Sequence, residues 1–97
     1  IYPKLEKAGL KFAIITDHPE IAIDQLHLCA VLAVKHGLSR KAALQAITIY
    51  AAENTGIADR VGSIRKGKDA DFVLVSGDVL SIDTKVTAVY IDGKQVV

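Results

Sequence analysis

Thr16-Asp17-His18-Pro19 closes the apolar run Phe12-Ala13-Ile14-Ile15. A carboxylate beside an imidazole can move a proton, contact a cation or hold a polar substrate. Asp17 follows directly on a run that reads as a buried strand. It therefore stands where a short carboxylate can be aimed from a strand end onto a rim. It also has a local reading, because Asp is a preferred helix cap and Pro19 stands where a helix can begin. The residues alone leave these two readings level. His18 has three readings: it can bond a substrate, orient Asp17 or ligate a metal. His27 lies inside an apolar helical pattern, where packing or a local hydrogen bond is the simpler role. His36, before Gly37, suits the negative end of a helix dipole.

The remaining polar groupings carry less chemistry. Glu53-Asn54-Thr55-Gly56 reads as a helix ending and a turn. Gly62 and Gly67 lack the spacing of a phosphate cradle, and no hydroxyl residue follows Lys68; turn geometry is the better reason for both. Asp69 and Asp71, two apart, would share one face of a strand, but they offer too few oxygens for calcium. Their expected place is a turn entering the Phe72 strand. Cys29 is the only cysteine, so no internal disulfide can form. It reads as a small hydrophobe within a helix, in a reducing compartment.

These residues need elements to position them. Tyr2 to Ala8 is expected to be helical, with Pro3 in the first turn and Gly9 at the end. Leu10 to Thr16 is the first strand, apolar on both faces as a buried parallel strand would be. Ile23, Leu26, Ala30, Val31 and Val34 recur at helical spacing, which predicts a helix from Ile21 to His36. Ser39 caps a second helix over Arg40 to Ile49, with Leu44 and Ile47 inward. One more helical turn spans Ala51 to Thr55. After Gly62 the texture becomes β-like. Phe72 to Val75 and Val86 to Ile91 are strands. Asp92-Gly93 signals a two-residue hairpin returning through Lys94 to Val97.

Ninety-seven residues, 51% of them hydrophobic, allow one domain or less. The chain starts at Ile1 and contains no Met, so a processed or truncated product is expected. The 12 basic and 11 acidic residues leave a net charge of +1. They are interspersed, whereas a nucleic-acid surface needs a basic patch. The longest nearly uncharged stretch, Gln25 to Val34, is too short to span a bilayer.

Taken in order, these pieces resemble the C-terminal portion of the amidohydrolase superfamily, nearest its imidazolonepropionase-like members. The resemblance rests on the strand ending Thr16-Asp17, Ala51-Ala52-Glu53-Asn54-Thr55-Gly56, Gly62-Ser63-Ile64, Gly67-Lys68-Asp69-Ala70-Asp71 and Val89-Tyr90-Ile91-Asp92-Gly93-Lys94. It implies an α/β fragment of a larger protein. Residues 1–60 would be the last βα unit of a TIM barrel, and residues 61–97 part of a small composite β-sandwich. It implies a divalent metal, zinc before manganese or iron, bound mainly by residues outside these 97. Asp17 would contact that metal, take a proton from the attacking water and pass it to the leaving nitrogen. His18 would contact substrate. The implied reaction is hydrolysis of amide-type C–N bonds in a small cyclic or acylated substrate. The protein would be a cytoplasmic homo-oligomer binding neither nucleic acid nor membrane. No His-x-His pair occurs, so these residues alone are expected to be inert and to associate with the rest of their parent chain. Two other readings stay open: a deaminase of the same superfamily, and a non-catalytic α+β binding or assembly module.

Overall fold

Leu10–Thr16 runs extended through the helical half of the molecule but sits in no ladder, because no second strand lies beside it in the computed structural model of residues 1–97. Its one mid-run backbone anchor is Ile14 N–H donating to Ala46 O at 3.0 Å. The expected strand is therefore not formed in this chain: the run is free of helix, turn and bend but has no ladder. Helix α1, Tyr2–Lys7, precedes it with Pro3 in the first turn. Gly9, at φ 74°, turns the chain into the run.

After Thr16 the chain loops before it becomes helical. Glu20 N–H bonds Asp17 O at 2.9 Å, and Ile21 N–H bonds Thr16 O at 3.2 Å. A single 3-10 turn, Ile23–Gln25, leads into α2, Leu26–Lys35. The helix expected from Ile21 thus starts five residues later, because the amides that would open it are tied to the turn instead. Ile23, counted in the helical apolar spacing, lies in the 3-10 turn and is 71% exposed.

Helix α3 spans Arg40–Ala46 and α4 spans Ile49–Thr55. Ser39 caps α3 as expected, its Oγ accepting Ala42 N–H at 3.1 Å. The helix expected to continue to Ile49 breaks at Thr48, whose Oγ1 donates to Leu44 O at 2.7 Å. Such a back-bond competes with the backbone ladder. Leu44, expected inward, is exposed; α3 turns Ala43 and Ala46 to the interior instead. Ala30 and Ala33 of α2 are buried as well, so α2 and α3 pack through small side chains.

The second half is a three-stranded antiparallel sheet, with β1 Phe72–Val75, β2 Val86–Ile91 and β3 Lys94–Gln95 in that order. Phe72 lies opposite Tyr90, and their rings stack at 4.7 Å. Asp92 and Gly93 both have positive φ, 52° and 76°, as a type I′ hairpin requires. Asp69 and Asp71 precede β1 and lie outside it. Asp69 pairs with Arg60 at 2.9 Å, and Asp71 Oδ1 accepts Asp92 N–H at 2.9 Å. Both are turn fixtures. The halves meet where Leu80 joins Ala30, Ala33, Leu38 and Ala43 in the main apolar cluster, beside an Arg40–Asp78 ion pair.

Candidate active site

Asp17 stands exposed at the end of the extended run, in left-handed conformation at φ 54°. Its backbone carbonyl closes the turn to Glu20, but its carboxylate accepts no hydrogen bond within the chain. It does not cap α2, whose N-cap is Gln25. The carboxylate is therefore uncommitted and exposed. That is a geometry in which it can receive a proton or touch a cation. A non-glycine residue at positive φ is uncommon, and such outliers gather at functional sites.

His18 follows, joined to Pro19 by a cis peptide bond. Its Nδ1 accepts Ile23 N–H at 3.2 Å, which pins the ring across the turn. The imidazole is exposed, and Nε2 makes no hydrogen bond within the chain. Behind the pair, Ile14, Ile15, Thr16, Ile23, Leu26, Ile47 and Ala51 line an apolar depression of about 260 Å3. Depressions of about 300 and 650 Å3 lie beside Lys11 at the opposite end of the run. None of the three hollows is lined by Asp17 or His18. Concavity alone does not locate the chemistry here, so we place the site by the free carboxylate and imidazole.

No group of three or more His, Cys, Asp or Glu side chains in this chain is arranged to hold a metal ion. His27 is half-buried in α2, and His36 ends that helix; neither joins Asp17. Asp17 offers one unpartnered carboxylate, which by itself makes no metal site. The contact missing from the sequence reading is Ile23 N–H on His18. It is a backbone group reaching five residues back through a turn, and residue types carry no signal for it.

The Amidohydrolase family model matches residues 2–96. An amidohydrolase from Thermotoga maritima MSB8 superposes with a TM-score of 0.94 and 38% identity, over 99% of this chain and 25% of that one. Adenine deaminase from Methanothermobacter thermautotrophicus is 40% identical over 95 residues, which are 95% of this chain and 16% of that protein. Amidohydrolase tasK from Hapsidospora irregularis is 33% identical over 85 residues, 88% of this chain and 9% of its own length. The fold and the matches define a segment of a larger family of chains. The chain belongs to the amidohydrolase family, and it spans less than a fifth of the curated relatives it matches. No helix is long and apolar enough to cross a membrane.

Proposed function

We propose that this chain forms the C-terminal part of a metal-dependent amidohydrolase that cleaves amide-type C–N bonds in a small cyclic or acylated substrate. Residues 1–60 would supply the last βα unit of the barrel. Residues 61–97 would supply part of a composite β-sandwich. The observation that carries this reading is Asp17: an unpartnered, exposed carboxylate at the C-terminal end of an apolar extended run. Barrel enzymes build their active sites at that end of their strands.

A divalent cation, zinc by preference, brings a bound water's pKa toward neutrality when it occupies such a site. Asp17 contributes one oxygen toward holding it. The Asp17 carboxylate accepts the proton of the attacking water. As the C–N bond breaks, the same carboxyl returns that proton to the leaving nitrogen, which needs it to depart as an amine. His18 contacts the substrate from the adjoining turn. Most metal ligands and the substrate loops would come from the rest of the parent chain.

A deaminase is the second reading, favoured by relatives that are adenine deaminases. Asp17 would do the same work there, with ammonia as the leaving group. The test is Asp17→Asn in the full-length protein, with metal content and turnover measured on cyclic amides, N-acyl amines and adenine. Turnover should fall roughly 10²- to 10⁴-fold while the fold is kept. Unchanged turnover would overturn the assignment. Ammonia release from adenine would select the deaminase, and a new carboxylate would select the amidase.

A further inference from the structure

His18 carries a constraint that its neighbours do not. A backbone amide can only donate, so the nitrogen facing Ile23 N–H at 3.2 Å must offer a lone pair. In the neutral ring the single proton then resides on Nε2. Ile23 opens the 3-10 turn, and the first amides of a helical segment have no carbonyl partner within it. Its N–H is thus satisfied by the imidazole, and the two fix one another.

A metal-ligating histidine is arranged the other way round. One nitrogen gives its lone pair to the cation, and the other donates its N–H to a carbonyl or carboxylate. Here Nδ1 is engaged by an amide and Nε2 is left with the proton. Ligation through Nε2 would require a ring stripped of both protons, an imidazolate. Ligation through Nδ1 would orphan the Ile23 amide.

We propose that His18 keeps Nδ1 as the acceptor of Ile23 N–H in the assembled enzyme and presents Nε2–H outward. It is a fixed hydrogen-bond donor addressed to an acceptor of the substrate, a carbonyl oxygen or an unprotonated ring nitrogen, and it takes no part in holding the metal. This rests on Asp17 marking the active-site rim. It goes further in requiring that the substrate present an acceptor on the side facing the His18–Ile23 turn.

The test uses the zinc-loaded full-length protein with ¹⁵N-labelled histidine. Nitrogen NMR at mildly alkaline pH should show His18 with an unprotonated Nδ1 and a protonated Nε2. His18→Asn keeps an acceptor near the Nδ1 position and loses the distal donor. His18→Gln keeps a distal amide and loses the proximal acceptor. Both should keep the wild-type zinc stoichiometry. With acetohydroxamate, a zinc-chelating acyl analogue whose oxygens accept hydrogen bonds, the Asn variant should bind about tenfold more weakly. The Gln variant should stay within about threefold of wild type. A protonated Nδ1, or zinc loss in both variants, would overturn the inference. So would an Asn variant matching wild type while Gln weakens, which would mean that His18 only pins the turn. If the wild type binds neither zinc nor the hydroxamate, the metallohydrolase reading fails and takes this inference with it. If the wild type binds both and the variants bind alike, the inference fails alone.

Discussion

Asp17 holds a backbone conformation that glycine adopts freely and an L side chain adopts at some cost. The turn bonds from Glu20 and Ile21 N–H offset that cost through the backbone, and the carboxylate takes no part in them. An aspartate kept there for structure would be expected to cap or bridge something. One kept for chemistry would be left exposed and unpaired, as this one is. Asp17→Gly separates the two. The relieved left-handed strain and the added unfolded-state freedom nearly cancel, so stability in urea should stay within about 1 kcal/mol of wild type. Turnover of the full-length enzyme should nonetheless collapse as in Asp17→Asn. A glycine variant that is markedly destabilised would show that the carboxylate is structural. The sequence made Asp17 visible because its position after an apolar run is a local fact. The ring state of His18 was not visible, because it is decided by an amide across a turn.

The elements are tied together by a few side chains that reach between them. Glu6 of α1 accepts Ser39 Oγ–H at 2.5 Å and Ser39 N–H at 3.0 Å, joining α1 to the start of α3. The hydroxyl bond first, and the amide bond second, hold the Glu6 carboxyl below its ordinary value near 4.5. A carboxyl with a lowered folded-state pKa contributes stability that is present above its unfolded value. That contribution fades as pH falls below about 4.5 and is gone below the folded pKa. Thermal scans of Glu6→Gln against wild type should therefore diverge at neutral pH and converge in acid. A gap that persists in acid would contradict the clasp. Ser39→Ala removes the cap on Ala42 as well and should cost about 1 kcal/mol at neutral pH. A second tie is an absence of side chain. Gly62 has φ 96°, and a Cβ there would meet Ala52 Cβ at 2.7 Å and the Ile49 backbone at 3.1 Å. Gly62→Ala should destabilise by about 2–4 kcal/mol, read as a lower Tm, by strain and overpacking against α4. An unchanged Tm would mean that the loop gives way freely. Ser39 and the Asp92-Gly93 hairpin were legible because caps and tight turns are set by neighbouring residues. The delayed start of α2, the break at Thr48 and the Glu6–Ser39 clasp were not, since each is decided by bonds to backbone or side chains elsewhere.

At the scale of the whole chain, the distribution of apolar surface decides the behaviour. Only nine of the 97 residues are buried, and no large side chain is fully so. Ile15 on the extended run is 69% exposed, and Ile64 in the connecting loop is 93% exposed. The Cα radius of gyration is 13.7 Å, against about 12.5 Å for a self-contained domain of this length. Leu10–Thr16 has no ladder partner, and apart from Leu10 N–H, Ile14 N–H and Thr16 O its backbone donors and acceptors are open to pairing. This accounts for what the sequence could show globally. The near-continuous apolar run pointed to burial on both faces, and these residues alone supply one face, from the helices. The substrate stayed out of reach because this chain covers less than a fifth of the length of its curated relatives. Isolated in solution, the 10.4 kDa chain should associate in proportion to its concentration and bind a hydrophobic dye. Co-expression with the rest of the full-length protein should cover the run and abolish both effects. Size-exclusion chromatography with light scattering makes the comparison. A monodisperse monomer of the isolated chain, with no dye binding, would show that its exposed apolar faces need no partner, and the barrel-segment reading would lose its physical support.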